Sequence, residues 1–200
     1  RLFRRQRQMC IRDSTKTFGG RVISFCQDEF LAKKGVLNES IVSTELGLKG
    51  IPNISESINM YRDIEILRYS GGKIHIPYVT TSKGVDLIRE AKKNNLDITA
   101  SVSLAHITFS EKDIPEFDTN YKLIPPLRSE SDLNSLKEGL VDGTLDYLTS
   151  MHEPFDVDNK KIVFDNASSG SIGLESMFGL MSNQFTLEKT IDILTRKKII

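Results

Sequence analysis

The sequence predicts an α/β fold built on a parallel β-sheet. Short β-branched segments alternate with longer segments of helical period, and the pattern recurs every 25 to 45 residues or so. Both a doubly wound sheet and part of a (β/α)8 barrel fit this alternation. No glycine-rich phosphate-binding motif follows any of the strands, whereas long polar loops do, and such loops build the site of a barrel. The sequence therefore favours a partial (β/α)8 barrel.

The predicted elements come in a regular order. They are a strand at 21–26, a loop with short helical turns at 29–48, a helix at 51–70, a strand at 73–80, a helix at 82–95, a strand at 97–103, a long proline-containing loop at 111–132, a helix at 132–143, a strand at 145–150, and helices at 173–184 and 186–200. Four strands in this length correspond to about half of an eight-stranded barrel.

Local signals justify the helices. In the first long helix, apolar residues recur at the helical period, and Gly71 and Gly72 end it. In the second, Val85, Leu87 and Ile88 are expected to point inward. Ser131 is expected to cap the helix at 132–143.

Composition excludes several classes of protein. The 200 residues carry 27 basic and 27 acidic side chains, are 38% hydrophobic and have a mean hydropathy of −0.26. No stretch approaches the roughly 18 apolar residues of a membrane span, and a balanced charge argues against a nucleic-acid binder. Two cysteines exclude a disulfide scaffold and fit a reducing compartment, so we expect a cytoplasmic protein.

Residues 1–14 differ from the rest of the chain. They hold five arginines and one acidic residue, and they show no apolar period. The segment resembles translated adaptor sequence, although a basic arm for nucleic acid or a membrane is an alternative. We therefore expect residues 1–14 to pack against nothing, and residues 15–200 to form the barrel part.

The residues alone define no self-sufficient catalytic site. The histidines are His75, His106 and His152, at or just after strands. None has a metal-motif spacing, and Cys26 has no cysteine partner within the barrel part. A strand histidine such as His75 is more often a hydrogen-bonded core residue. Asp146 and Asp156 flank the last strand and are expected to be solvated.

Several longer motifs resemble one enzyme family. The segments "EFDTNYKLIPPLRSESD", "LKEGLVDGTLDYLTSMHEPFD" and "SIGLES" are similar to the C-terminal half of dihydroorotases, and the resemblance runs from about Thr15 to about Gln184. It implies an amidohydrolase barrel and a role in de novo pyrimidine synthesis, where the family interconverts carbamoyl aspartate and dihydroorotate at a zinc site.

The sequence departs from the family at the residues that carry the chemistry. Phe25 and Tyr78 occupy positions of histidine ligands, in "SFCQD" and "PYVTT". Met151 occupies the position of the catalytic aspartate in "SMHEPF", and Phe155 that of a following histidine. Ile124 replaces an asparagine that contacts substrate. The family's remaining ligands, an "HxH" pair and a bridging carboxylate or carbamylated lysine, would lie upstream. The substrate-cleft residues implied by the resemblance are Tyr78, Ile124, His152, Phe155 and Gly173.

These exchanges suggest that metal-dependent catalysis has been lost. Zinc needs nitrogen, thiolate or carboxylate donors, which Phe25 and Met151 do not offer. The leading hypothesis is a non-catalytic dihydroorotase-like protein without zinc in this chain, which acts as a scaffold partner of aspartate carbamoyltransferase and forms a homo-oligomer. The alternative is an active cyclic amidohydrolase, of dihydroorotase, allantoinase or hydantoinase type, with a remodelled metal site. Neither hypothesis involves nucleic acid or a membrane.

The exchanges also predict a geometry. Phe25, Tyr78 and Met151 should lie within about a side-chain length of one another and fill the volume that the metals would occupy, because emptied polar cavities are costly. The Tyr78 hydroxyl would then need a hydrogen-bond partner, for which His152 is the candidate.

Overall fold

The computed structural model describes the backbone of residues 2–196 and the side chains of residues 9–196. The helices and strands, in chain order, are α1 (Leu2–Thr17), β1 (Arg21–Ile23), β2 (Leu37–Asn38), α2 (Ile41–Glu45), β3 (Gly50–Ile51), α3 (Ile54–Ser70), β4 (Lys73–Ile76), α4 (Ser82–Lys93), β5 (Ile98–Ser103), α5 (Leu104–Thr108), α6 (Glu130–Asp142), β6 (Tyr147–Thr149), α7 (Val157–Lys160), α8 (Met177–Gln184) and α9 (Leu187–Thr195).

The main sheet of the described residues has four parallel strands in the order β1-β4-β5-β6. Each neighbouring pair in this order is joined through a segment that contains helix, as parallel pairing requires. The carboxyl ends of all four strands therefore meet at one edge of the sheet. Strands β2 and β3 form a separate short parallel pair.

The two faces of the sheet differ in chemistry. Ile74, Ile76 and Val102 belong to the main core, where they are buried with residues of α3, α4 and α6 such as Ile64 and Ile88. Side chains alternate between faces along a strand, so the intervening residues line the opposite face. They are the polar, buried residues His75, Thr99, Ser101 and Ser103. This polar face corresponds to the interior of a barrel.

The strands are shorter than predicted. The first ends at Ile23 instead of residue 26, and β4 ends at Ile76, just before Pro77. Proline has no N–H to donate to a ladder, so the chain leaves the sheet there. The prediction also missed α5, which follows β5 directly and is capped by the Ser103 hydroxyl.

The predicted cap at Ser131 is wrong, because α6 begins at Glu130. Ser129 is its N-cap, and its hydroxyl accepts a hydrogen bond from the Asp132 N–H at 3.3 Å. At the other end, Gly143 adopts a left-handed conformation with a φ of 81° and terminates the helix.

The expectation that residues 1–14 pack against nothing is also wrong. Arg12 in α1 is 6% exposed, donates to the Asp63 carbonyl at 2.8 Å and pairs with the Asp63 carboxylate at 3.1 Å. Lys16 in the same helix donates to the Ser70 carbonyl at 2.9 Å. Polar contacts with α3 therefore hold α1 in place, although α1 has no apolar face. The interpretation of residues 1–14 as non-native sequence stays a prediction.

Within the described part of the chain, none of the helices combines the length and the apolar character needed to cross a membrane.

Candidate functional site

Phe25, Tyr78 and Met151 occupy equivalent places in the fold. Each lies two residues beyond the last residue of its strand, β1, β4 and β6 respectively. Because the strands are parallel, all three lie at the same edge of the sheet. Phe25 is 45% exposed and Met151 only 5%, so their surroundings differ. That the three side chains fill one shared volume stays a prediction.

Two of these positions have an unusual backbone. Tyr78 has a φ of 55° and Met151 a φ of 48°, both in the left-handed region that non-glycine residues seldom adopt. Such a conformation costs about 1 to 3 kcal/mol and persists where the surrounding structure enforces it. The strand ends of β4 and β6 are therefore held in conformations typical of functional sites.

A buried carboxylate enforces the backbone that follows Tyr78. Glu56 of α3 accepts hydrogen bonds from the N–H of Thr80 at 3.2 Å, from the N–H of Thr81 at 3.1 Å and from both threonine hydroxyls. Arg128 donates to the Thr80 hydroxyl at 3.2 Å and to the Ile51 carbonyl at 2.7 Å. This network anchors the β4 end to α3 and to the loop that precedes α6.

A second buried carboxylate lies beside the end of β1. Asp63 accepts hydrogen bonds from the Ser24 hydroxyl and from Arg62, and the Cys26 thiol lies 3.8 Å from it. Burial raises the pKa of Cys26, and the negative charges of Asp63 and Glu56 raise it further. The thiol therefore stays protonated and is a poor metal ligand or nucleophile.

His75 is a hydrogen-bonded core residue on the polar face of the sheet. Its Nδ1 lies 2.9 Å from the Thr99 hydroxyl and its Nε2 lies 3.3 Å from the Ser101 hydroxyl. The ring also packs edge-on against Tyr147, with the ring centroids 5.8 Å apart. Burial lowers its pKa, although the charge of Asp146 opposes this. His75 is therefore neutral at physiological pH.

His106 is fully buried and also fixed by its neighbours. Its Nε2 lies 3.0 Å from the Pro125 carbonyl, which can only accept, so Nε2 carries the proton. Nδ1 consequently accepts from the Ser103 hydroxyl at 2.6 Å. Burial lowers the pKa of His106 to about 4. Both ring nitrogens are occupied, so His106 holds the loop before α6 and is not free to bind a metal.

Two predictions about polar side chains at the β6 end are wrong. His152 is exposed, and its Nδ1 accepts from the Leu174 N–H at 3.5 Å. Among the hydrogen bonds of the described residues, none joins it to Tyr78. Asp146, expected to be solvated, is 2% exposed, because it pairs with Lys92 at 2.7 Å and accepts from the Ala100 N–H. Asp156 is exposed, as predicted.

A cavity of about 360 Å³ opens beside the ends of β5 and β6. Phe155 and Gly173, two of the predicted cleft residues, line it, whereas Tyr78, Ile124 and His152 do not. Sequence reasoning missed Phe109, Tyr121 and Lys160, which also line the cavity. The length of the loops that carry them, after β5 and after β6, was the available signal.

Glycines shape one wall of this cavity. A Cβ on Gly173 would lie 2.3 Å from the Ser150 carbonyl oxygen, and one on Gly170 would lie 2.6 Å from the Glu153 carbonyl oxygen. The Glu153 N–H donates to the Ser171 carbonyl at 2.8 Å. The segments before and after the 154–169 loop therefore approach so closely that only glycine fits.

The described residues do not form a zinc centre. Among them, no three His, Cys, Asp or Glu side chains are grouped so that they could hold a metal ion. At the strand ends, Phe25 has no donor atom, Met151 offers only a thioether, and the Tyr78 phenol needs deprotonation. The donor set of this chain therefore does not fit the metal that the resemblance implies.

No family model matches the chain, but individual relatives do. It is 40% identical over 179 residues to a dihydroorotase from Caldanaerobacter subterraneus, covering 90% of this chain and 41% of the relative. It is 37% identical over 182 residues to a dihydroorotase from Listeria innocua, covering 88% and 43% respectively. The chain is dihydroorotase-like. It spans about two fifths of the length of these curated relatives.

Solved structures show the fold of this dihydroorotase-like chain. An L-hydantoinase (dihydropyrimidinase) from Arthrobacter aurescens matches with a TM-score of 0.79 and 19% identity, over 94% of this chain and 44% of that one. A dihydroorotase from Saccharomyces cerevisiae, in complex with 5-fluoroorotic acid, matches with a TM-score of 0.70 and 13% identity, over 92% and 50%. These neighbours are TIM-barrel amidohydrolases, so the prediction of a partial (β/α)8 barrel is confirmed.

Proposed function

We propose that this chain belongs to a dihydroorotase-like protein of de novo pyrimidine biosynthesis that does not catalyse the zinc-dependent reaction. The observation that carries the proposal is the identity of the three equivalent strand-end residues. Phe25, Tyr78 and Met151 stand at one edge of a parallel sheet, where the fold places catalytic groups. None of them is a usual zinc ligand.

The chemistry of the reaction makes this exchange consequential. Hydrolysis of a cyclic amide at neutral pH needs an activated water, and bound zinc lowers the pKa of water from 15.7 to about 7. The reverse ring closure needs a group that moves a proton at the same place. Met151 can neither accept nor donate that proton, and the nearby histidines are held by other bonds or face solvent.

The proposed role of the retained scaffold is assembly with aspartate carbamoyltransferase, as a homo-oligomer. Support comes from the contrast between a preserved fold and a changed donor set. Co-purification of the protein, expressed from its complete reading frame, with aspartate carbamoyltransferase of the same source tests this role. A stable complex and a carbamoyltransferase activity that depends on it are expected. Two proteins that elute separately would refute it.

Metal analysis tests the loss of catalysis. We expect the protein from the complete reading frame to hold far less than one equivalent of zinc and to open no dihydroorotate. The triple variant Phe25→His, Tyr78→His and Met151→Asp should bind zinc, because it restores the donor types that the resemblance places at these three positions. One or two equivalents of zinc with ring opening in the unmodified protein would refute the proposal.

One observation favours the alternative of an active cyclic amidohydrolase with a remodelled site. Tyr78 and Met151 keep a left-handed backbone, which is costly to maintain without a role. In that case Tyr78 would act as a phenolate ligand or as a proton donor. Activity on hydantoin or allantoin that disappears in Tyr78→Phe would support the alternative.

A further inference from the structure

The 154–169 loop is long, yet its two ends meet. Its regular structure consists of α7 and one short 3-10 helix, Phe164–Asn166. The Glu153 N–H donates to the Ser171 carbonyl at 2.8 Å, and a Cβ on Gly170 would lie 2.6 Å from the Glu153 carbonyl oxygen. A loop whose ends are joined in this way is an Ω-loop. It can move while β6 and α8, on either side of it, stay in place.

Hydrogen bonds inside the loop make it one unit. The Ser168 N–H donates to the Asn159 carbonyl at 3.1 Å and so ties its two arms together. The Lys161 N–H donates to the Val157 carbonyl at 2.8 Å and closes a helical turn. Because both partners of each bond lie within the loop, these bonds are kept when the loop moves as a body.

One buried side chain fixes the loop to the rest of the chain. Phe164 is 2% exposed and belongs to a small apolar cluster. The other buried members of this cluster are Leu37, Ile114, Leu123 and Leu127. The cluster is separate from the main core that packs against the sheet. Withdrawal of Phe164 therefore leaves the main core intact.

Two lysine ammoniums complete the attachment. Lys122, in the loop before α6, donates to the carbonyls of Phe164 and Asp165 at 2.7 and 2.9 Å. Lys160, in the 154–169 loop, donates to the Thr119 carbonyl at 3.0 Å. These acceptors are neutral carbonyls, which bind an ammonium less strongly than a carboxylate does. Burial lowers the pKa of both lysines, so their hydration offsets part of the cost of releasing the loop.

The two sides of the loop face different surroundings. On its inner side, Pro154 and Phe155 line the cavity beside β5 and β6. Val157, Ile162 and Val163 are exposed, so these apolar side chains gain little burial from the closed position. Movement of the loop therefore changes the access of solvent to the cavity at a small cost in packing.

We propose that the 154–169 loop is a lid, which swings away from the loop before α6 as one unit and opens the cavity. Opening withdraws Phe164 from its cluster and breaks the bonds that Lys122 and Lys160 make across the gap, while the joined ends act as the hinge. The main core keeps its packing, so the lid opens without unfolding of the sheet. The motion does not depend on whether the chain is catalytic.

Thiol labelling measures the opening in the protein from the complete reading frame. Ala167 in the lid is 5% exposed and Ala91 in α4 is 1% exposed, so a cysteine at either place reacts only when the structure opens. With the label located by mass spectrometry, Ala167→Cys should react at least about 100-fold faster than Ala91→Cys, because the core position opens only on global unfolding. Low urea should hardly change the faster rate, since lid opening exposes little surface. Equal rates at the two positions would overturn the proposal.

A second pair of variants separates a lid from general loosening. Lys122→Met removes the ammonium and should accelerate labelling of Ala167→Cys at least about tenfold, but that of Ala91→Cys less than about twofold. Lys161→Met, which removes an exposed lysine of the same loop, is the matched control and should change neither rate. Equal acceleration at both cysteines, or none at Ala167→Cys, would refute the lid. If Lys122→Met does not fold, the comparison of the two cysteines with Lys122 in place still decides.

Discussion

Replacement of Glu56 by glutamine should strongly destabilise the protein, although the two side chains have the same shape. Glu56 is 3% exposed, and one of its oxygens accepts from both the Thr80 N–H at 3.2 Å and the Thr80 hydroxyl. The Thr80 oxygen already accepts from Arg128 at 3.2 Å, so its proton points at the carboxylate. In Glu56→Gln, an NH₂ group in that place would face two donors.

The other orientation of the amide is no better. The second oxygen accepts from the Thr81 N–H at 3.1 Å and from the Thr81 hydroxyl at 2.8 Å. Hydrogen bonds to a charged group contribute about 1.5 to 3 kcal/mol each, and a buried donor left unpaired costs a similar amount. Either way we expect a loss of about 3 kcal/mol of unfolding free energy. For a domain of this length, that lowers the Tm by about 6 to 12 °C.

Urea unfolding followed by circular dichroism measures this loss. Glu90→Gln, an exposed acid on α4, is the matched control and should change stability by less than about 0.5 kcal/mol. A loss below about 1 kcal/mol in Glu56→Gln, with an unchanged m value, would refute the view that this carboxylate anchors the β4 end.

Three further predictions concern other parts of the fold. Gly173→Ala should lower the free energy of unfolding by at least about 2 kcal/mol, because its Cβ would lie 2.3 Å from the Ser150 carbonyl oxygen. In Gly179→Ala of α8 the added Cβ meets open space, so this variant should be more stable by about 0.5 to 1 kcal/mol. Thermal unfolding compares the two variants. His106 has a pKa of about 4 in the folded state against a reference value of 6.5. As the pH falls, it is therefore protonated in the unfolded state before it is protonated in the folded state. Stability should fall by about 3 kcal/mol as the pH drops from about 6.5 to about 4, and urea titrations of His106→Gln should show a smaller decrease. Arg12→Ala should lower the free energy of unfolding, measured in urea, by about 3 kcal/mol, because the buried Asp63 carboxylate of α3 then keeps Arg62 but loses Arg12. An unchanged stability would support the interpretation of residues 1–14 as non-native sequence.

The sequence predicted the order of elements well, because the alternation of β-branched and amphipathic segments reflects burial directly. It overestimated strand lengths, since a β-branched run such as "RVISFC" continues beyond the point where the partner strand stops pairing. The end of β4 could have been predicted from Pro77, which has no N–H to donate to the sheet. The short helix α5 could not be predicted, because its N-cap, Ser103, is also the last residue of β5.

The site was less predictable, because pairing over long sequence distances decides it. Asp146 follows a glycine turn and looks solvated in sequence, yet Lys92, 54 residues away, neutralises it in the core. His152 was expected to bond with Tyr78 and instead faces solvent beside Leu174. The placement of Phe25, Tyr78 and Met151 at one edge needed only the parallel topology, and this part was predictable.

The residues that stabilise the backbone at the strand ends are not the residues at the positions of the family's ligands. Buried groups outside the changed positions hold the backbone there: Glu56 and Arg128 behind β4, and Asp63 behind β1. None of these groups depends on a metal ligand at Phe25, Tyr78 or Met151. Exchange of a ligand therefore costs the fold little, since the network that fixes the position remains satisfied. The proposed loss of metal-dependent catalysis is therefore compatible with a retained fold.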